Sequence, residues 1–436
     1  MKLLTFKGGV HPFEGKELSM NKAIEEILPG DEMVYFLSQH IGKPADPCVA
    51  KGDQVLRGQL IAAKSGFVSA NIYSSVSGTV KAIDSRLNNV GDMAPCIVIA
   101  NDGNYTEVEY ESVKSFDELT KEIILQKVEA AGVVGAGGAG FPTSVKLAPK
   151  NPEAIEYVLV NAAECEPYLT CDYRSMLEKT EKLVKGLKCM LMLFPNAQGC
   201  IGVENNKPEA IAKLEAMVKD EPRISVKVLK TKYPQGGERT LIKAITGREL
   251  NVSMLPSDVG CIVDNVETVC NIYDAVFLGK PVMERTITVT GDAVADTRNF
   301  RAYIGTDMNI LLEKCGGFKT QPEKVICGGP MMGFALFDTG IPVTKTTSGL
   351  LCLSKDAVAA SSESACINCG RCVQGCPEFL LPTKLSEFAR RGDEEKFVEF
   401  HGKECIECGS CSYVCPAKRS LAIDIKTMKK AVMRKR

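Results

Sequence analysis

Eight of the nineteen cysteines in this chain fall into two copies of one pattern, C-x-x-C-x-x-C-x-x-x-C-P, as CINCGRCVQGCP from Cys366 and CIECGSCSYVCP from Cys405. Such a run is built for [4Fe-4S] cubes: each tight turn supplies three thiolates to one cube, and its fourth cysteine ligates the other. The spacing assigns Cys366, Cys369, Cys372 and Cys415 to one cluster and Cys376, Cys405, Cys408 and Cys411 to its partner. Structural zinc uses pairs of C-x-x-C divided by a spacer, without a third cysteine at the same short interval. Crossed pairing keeps the two cubes close enough for an electron to pass between them. Pro377 and Pro416 then turn the chain away from the cubes.

At 436 residues the chain exceeds one ordinary core, and three or four domains are expected. Its 53 basic and 54 acidic side chains nearly cancel, and no basic stripe interleaved with aromatics occurs, so nucleic acid is not an expected partner. The one basic run, Lys426 to Arg436, is expected to be a solvated, frayed terminus. No run of 18 apolar residues exists, and Cys189 to Phe194 is too short to span a bilayer. The first residues have no apolar core of signal-peptide length. A soluble or peripheral protein of the cytoplasm is expected, where thiols stay reduced for cluster assembly. The eleven other cysteines lie singly in apolar surroundings and are expected to be small buried hydrophobes. His11, His40 and His401 sit in no motif and are expected to be surface or structural groups.

Residues 44–100 carry short alternating segments broken by Gly52 and Gly58, the pattern of a small β sandwich. The spacing is similar to biotinyl and lipoyl carrier domains, but the turn that bears their modified lysine is absent, so a docking or spacer role is expected. From Phe116 the period becomes helical, with Phe116, Leu119, Ile123, Ile124 and Val128 on one stripe ending at Gly132. Short apolar runs at 157–160, 200–203 and 226–229 then alternate with helical stretches at 173–192 and 208–218, which predicts a parallel sheet covered by helices. Ligands of such sheets lie beyond the carboxyl ends of the strands. Mixed strands at 286–290 and 324–327 around a short helix at 310–314 predict a β-grasp unit. A charged helical insert at 384–400 divides the two cysteine runs, and Ser361 to Ser364 serves as the linker into them.

The second informative segment is the loop GVVGAGGAGFPTSVKLAPK, residues 132–150. Its glycines let backbone approach a flat or phosphorylated ligand without a Cβ in the way. This loop, followed by LVNAAECEP (159–167), YPQGGERTL (233–241) and DNVETV (264–269), resembles the flavin-binding core of the NADH-oxidising subunit of respiratory complex I. With SQHIGKPADPCVAKGDQVLRGQLIA (38–62) and the double cysteine run, the chain resembles the C component of the Rnf complex, the ion-translocating ferredoxin:NAD oxidoreductase, over nearly its whole length. The implied fold is multidomain α/β: an N-terminal domain with a barrel-sandwich-like β module (1–105), an α/β FMN- and NADH-binding core (116–280), a β-grasp module (283–355), a ferredoxin-like α domain with two [4Fe-4S] clusters (360–425) and a basic tail (426–436).

The resemblance further implies FMN against Gly135, Gly137 and Gly138, with Lys146 at its polar edge or phosphate. Asn161, Glu164, Tyr233, Gly236 and Gly237 would contact the ring or ribityl chain, and Asp264 and Asn265 the phosphate end. Phe141 would stack on NAD(H), with Glu166 and Glu238 as polar contacts. Three positions depart from complex I: Ala136 replaces an arginine, Ala163 an acid, and Gly237 stands in the acidic pair, so the charge around the flavin differs. No catalytic side chain is implied, since hydride passes between nicotinamide and flavin. The expected function is a peripheral subunit on the cytoplasmic face of the membrane. It would exchange hydride with NAD(H) at FMN, pass single electrons through the clusters to or from membrane and cluster-bearing subunits, and couple indirectly to ferredoxin. The alternatives are a flavin and iron-sulfur cobalamin reductase, whose chain begins close to the glycine loop, and a non-enzymatic electron-transfer adaptor.

Overall fold

The computed structural model describes residues 3–435. At its centre four parallel strands stand in the order Ile224–Leu229, Gln198–Glu204, Tyr157–Ala162, Cys261–Asn265. Val158 and Val160 pack into one core and Leu159 into another on the opposite face, which is why these strands read as unbroken apolar runs. Helices Lys121–Ala130, Thr180–Leu193 and Val266–Leu278 supply the first face, and Glu238–Thr246 the second.

Two helical expectations are corrected. The stripe from Phe116 is split into a 3-10 turn at Phe116–Glu118 and a helix at Lys121–Ala130, because the Thr120 side chain accepts from Ile123 N and caps the second. The stretch 173–192 is likewise two helices, Cys171–Glu178 and Thr180–Leu193, joined at Lys179.

The β module forms from Glu32 to Asn101, with one sheet ordered Glu32–Phe36, Met93–Asn101, Gly78–Leu87, Gln54–Val55 and a second built from Asp46–Pro47, Leu60–Ala63 and Ile72–Tyr73. Ile61, Ile72, Val80, Ile97 and Ile99 fill its interior. The residues before it serve other units. Leu4 bridges Leu229 at the open edge of the parallel sheet, Val10 bridges Tyr233, and Ile24–Ile27 pairs in parallel with Arg298–Tyr303. That last pairing adds an edge strand to a six-stranded mixed sheet whose other members are Glu284–Thr290, Gly349–Leu353, Lys324–Cys327 and Phe334–Leu336, packed on the helix Met308–Lys314.

The C-terminal unit is helical. Its final helix, Leu421–Arg434, corrects the expectation of a frayed tail: Ile425, Met428 and Val432 form a buried stripe against Leu385 and Phe388 of the helix Pro382–Arg391. Lys426, Lys430 and Arg434 lie on the exposed side of that helix, Lys429 reaches Cys405 O at 2.5 Å, Arg436 lies outside the described residues, and apolar burial orders the helix. All of the cysteines outside the two runs are buried except Cys48 and Cys165.

Helices Thr180–Leu193 and Val266–Leu278 cross closely at Gly186, where an added Cβ would lie 2.1 Å from the Val269 carbonyl oxygen. Gly186→Ala is therefore expected to lower stability by about 1–3 kcal/mol, read as an earlier denaturation midpoint by circular dichroism. Gly138→Ala, with no atom within 4 Å of the new Cβ, should leave that midpoint unchanged.

Candidate functional site

The two cysteine runs fold back on each other. Each reverses through two left-handed residues, Asn368 and Gly370 in the first and Glu407 and Gly409 in the second. A one-turn helix follows each reversal, Arg371–Gln374 and Ser410–Tyr413. One open cavity of about 520 Å³ is lined by Cys366, Cys369, Cys372 and Cys415, and a second of about 390 Å³ by Cys376, Cys405, Cys408 and Cys411. Each void thus draws three thiols from one run and one from the other. Backbone N–H groups of Asn368, Leu380 and Glu407 approach the sulfurs of Cys366, Cys376 and Cys405 at 3.4 Å.

Among the described residues no three His, Cys, Asp or Glu converge tightly enough for a single metal ion. A zinc ion draws its sulfurs to about 2.3 Å, whereas a cube presents irons at separate corners and needs thiols held apart around a space. The donor set fits cubes. Burial differs between the sites: Cys376, Cys408 and Cys411 are buried in the second, whereas Cys369 of the first is exposed.

The glycine loop lies beyond the carboxyl ends of the parallel strands. Gly135 N donates to Phe141 O at 2.9 Å and Val134 bridges Pro142, so residues 136–140 form a closed loop. A Cβ on Gly138 would meet nothing within 4 Å, and one on Gly135 nothing nearer than 3.7 Å. Internal packing therefore does not require glycine at 138, and the open space over it suits a flat ligand. Gly137 faces Asn265, 3.1 Å from an added Cβ. Lys146 Nζ donates to Val263 O at 2.6 Å and to Asp264 Oδ1 at 2.9 Å, while buried Asp264 Oδ2 has no partner.

A second group gathers at the end of strand Tyr157–Ala162. Asn161 Nδ2 donates to Gly236 O at 2.8 Å, and Gly236 N to Cys165 Sγ at 3.2 Å, so the loop 233–237 is seated on the strand end. Glu238 is exposed at the start of the helix that Gly237 caps. Tyr233, 1% exposed and with no partner for its hydroxyl, packs with Val10 and Cys408.

The two glutamates of LVNAAECEP reach elsewhere. Glu164 Oε1 accepts from Asp172 N at 2.7 Å and Tyr173 N at 3.3 Å, at the start of the helix Cys171–Glu178, and its Oε2 lies 3.6 Å from buried Lys16. Glu166 Oε2 accepts from Met331 N at 3.1 Å, in the loop after strand Lys324–Cys327, and its Oε1 is buried without a partner. Burial pushes the Glu166 carboxyl up to about 7. Asp172, which accepts from Asn265 Nδ2 at 2.6 Å, is also pushed to about 7, by burial and then by Glu164.

Sequence reasoning missed Arg285. This residue, 2% exposed on strand Glu284–Thr290, donates from Nη2 to Ala136 O at 2.9 Å and from Nε to Thr347 O at 2.8 Å, leaving Nη1 without a partner beneath the glycine loop. A buried guanidinium thus reaches the loop at Ala136, the position that carries arginine in the complex I sequence. The one available signal was an arginine inside an otherwise apolar and threonine-rich strand. Nearby, burial opposes ionisation of Glu267, yet Lys179 and Arg285 hold its carboxyl down to about 2. The histidines take no part in this site: His40 Nε2 accepts from Ala70 N inside the β module, and His11 and His401 are exposed.

Comparison with known proteins agrees with this division. Residues 4–104 match the RnfC barrel sandwich hybrid domain, 128–274 the Nuo51 FMN-binding domain, 286–335 the SLBB domain and 365–418 the 4Fe-4S dicluster domain. The C component of the Na(+)-translocating ferredoxin:NAD(+) oxidoreductase complex from Acetobacterium woodii is 42% identical over 99% of this chain and 98% of its own. Its proton-translocating counterpart from Clostridium ljungdahlii is 44% identical over 88% of this chain and 84% of its own. Among solved structures, an NAD+-reducing [NiFe]-hydrogenase in its air-oxidized state covers 76% of this chain and 68% of its own, with a TM-score of 0.51 at 18% identity, a likeness of fold.

The Glu166 carboxyl gives a pH test. Its affinity for a proton is higher in the folded chain than in the unfolded one, so its contribution to stability falls as pH rises from about 4.5 through about 7 and stays low above. Glu166→Gln keeps an oxygen for Met331 N and carries no charge. Unfolding free energies from urea titrations should be close to the wild type at pH 5 and exceed it at pH 8.5 by about 3 kcal/mol.

Proposed function

Because the chain belongs to the RnfC family, the C components of ion-translocating ferredoxin:NAD(+) oxidoreductase complexes, we propose that it is the subunit at which such a complex exchanges electrons with NAD(H). Bound FMN would supply the conversion between hydride and single-electron transfer, and the two [4Fe-4S] clusters would carry one electron each. The residues that would hold FMN are Gly135, Gly137 and Gly138 with Lys146, Asn161, Tyr233, Gly236, Gly237, Asp264 and Asn265. Phe141 and Glu238 border the open side of the loop, where dinucleotide would enter. Glu164 and Glu166 act one layer out, tying this pocket to the helix Cys171–Glu178 and to the loop at Met331.

The observation that supports this most is the seat of one loop. Residues 233–237 touch Asn161 through Gly236 O and Cys408 through Tyr233, so a single short segment borders both the glycine-loop pocket and the more buried thiol cavity. Arg285 fixes the glycine loop from below and brings positive charge to a place where a flavin or its phosphate would gain from it. The eight cysteines hold the clusters in the crossed sets described above.

No helix among the described residues is long and apolar enough to cross a membrane. We assign ion movement to membrane subunits of the same complex, against which this chain would sit peripherally on the cytoplasmic face, with ferredoxin reached through them.

Anaerobic reconstitution of the full chain tests the proposal. About eight irons and one FMN per chain are expected, with the cluster absorption bleaching on addition of NADH; flavin-free protein, or clusters indifferent to NADH, would remove it. Gly138→Leu should lower bound FMN about tenfold or more with iron unchanged, since its side chain would occupy the open space over the loop.

A further inference from the structure

The two cysteine runs are an internal repeat, and its copies differ in what covers them. Ile406 and Gly409 of the second run are roofed by the rest of the chain: Ile406 packs with Val10, Tyr233 and Met331, and a Cβ on Gly409 would sit 3.3 Å from Met331 O. The matching residues of the first run are bare. Ile367 is 67% exposed, and a Cβ on Gly370 would meet nothing within 4 Å.

Charge differs in the same way. Where the second run has Glu407 and Ser410, the first has Asn368 and Arg371. Lys384 and Lys418, both exposed, follow directly on Thr383 and Ala417, which line the first cavity; Lys384 is paired with Glu387 at 3.1 Å, whereas Arg371 and Lys418 are in no ion pair among the described residues. The carboxylate preceding this run, Glu363, is bound to Arg390 at 2.7 Å, with Arg419 at 3.9 Å. On the covered side the pairing is opposite: Arg239 of the flavin-type domain meets Glu378 at 3.1 Å and Glu404 at 2.9 Å of the cysteine unit.

We propose that the surface over Cys369, centred on Ile367 and flanked by Arg371 and Lys418, docks the acidic face of a redox protein and exchanges single electrons with it. An apolar centre flanked by cations fits a partner with anions around an apolar contact, and the low-screening approach it permits raises the encounter rate. The inference rests on the redox role proposed above. Oxidation of one NADH gives NAD+, one proton and two electrons; each encounter breaks no bond and moves one electron, so two encounters balance one dinucleotide.

The test uses the full chain with both clusters reconstituted, reduced by dithionite, freed of excess reductant, and mixed in a stopped-flow cell with cytochrome b5, an acidic haem protein, or cytochrome c, a basic one. The cytochrome b5 rate is expected to fall about tenfold between about 50 and 300 mM salt. Arg371→Glu/Lys418→Glu should lower it about tenfold at low salt and raise the cytochrome c rate. Lys219→Glu, on the far side of the parallel sheet, should change neither. Iron content and cluster spectra of the variants are measured alongside, and Arg371→Gln/Lys418→Gln, expected to lower the cytochrome b5 rate about threefold, replaces the charge reversal if the latter loses iron. A cytochrome b5 rate within twofold of wild type in the iron-replete variants, or equal responses of the two cytochromes, overturns the port. Repeating the reaction with NADH separates the two proposals, because transfer from dithionite-reduced but not NADH-treated chain counts against the proposed function and leaves the port standing.

Discussion

Two turns that each lend a thiol to the other's cavity are the constraint from which the C-terminal unit follows. Neither turn closes its own void, so the runs at 366–376 and 405–415 must pack face to face although 28 residues of helix and loop lie between them. That pairing leaves Pro382–Arg391 and Leu421–Arg434 side by side, and their apolar stripes form the only sizeable core this unit has among the described residues. The unit is in turn fixed to the rest of the molecule at the cysteine backbone: Gly9 N donates to Gly375 O at 3.0 Å, and a Cβ on Gly8 would strike Cys376 O at 2.6 Å. Gly8 is needed there because the segment between Leu4 and Val10 passes directly against Cys376, and Gly9 because a Cβ would lie 2.7 Å from Tyr233 O.

Within the α/β core and between units the molecule uses ammonium groups as staples. Lys16 donates to Glu166 O and Leu169 O, Lys207 to Ala163 O, Lys232 to Phe6 O and Gly8 O, and Lys345 to Asn71 O and Gly132 O. All four are buried. Burial pushes the Lys232 and Lys345 ammonium groups down to about 8 and about 7, and the carbonyls each gathers satisfy the hydrogen bonds that burial takes from water. Lys16 and Lys207 both take carbonyls from residues 163–169, where the chain leaves the central strand and the pocket begins. Such a site is stiff because the loss of either donor would strand buried carbonyls.

What could be read in advance followed the range of the interaction. The thiol sets came from spacing alone, since three ligands of each cavity lie within seven residues of one another. The parallel sheet came from apolar runs such as Tyr157–Val160, buried on both faces. Contacts across long separations were invisible: nothing in the strand ERTITVT says that Arg285 lies under a loop 149 residues earlier. Buried lysines read as solvated charges because sequence does not reveal the carbonyls they meet. The tail misled for a related reason, as its six basic residues masked the spacing of Ile425, Met428 and Val432.

The placement of the first residues bears on how the molecule is made. Leu4 and Ile24–Ile27 finish sheets whose other strands, Ile224–Leu229 and Arg298–Tyr303, are translated some 200 and 270 residues later. The ribosome therefore releases an N-terminal segment that has no partner while the β module behind it already has all of its strands. Closing so long a loop is slow compared with local pairing, and the leading strand must wait in solution until the central sheet exists. Its polar content, Glu25 and Glu26 facing outward to Arg298 and Arg301 in the finished sheet, keeps that waiting edge from pairing with neighbouring nascent chains.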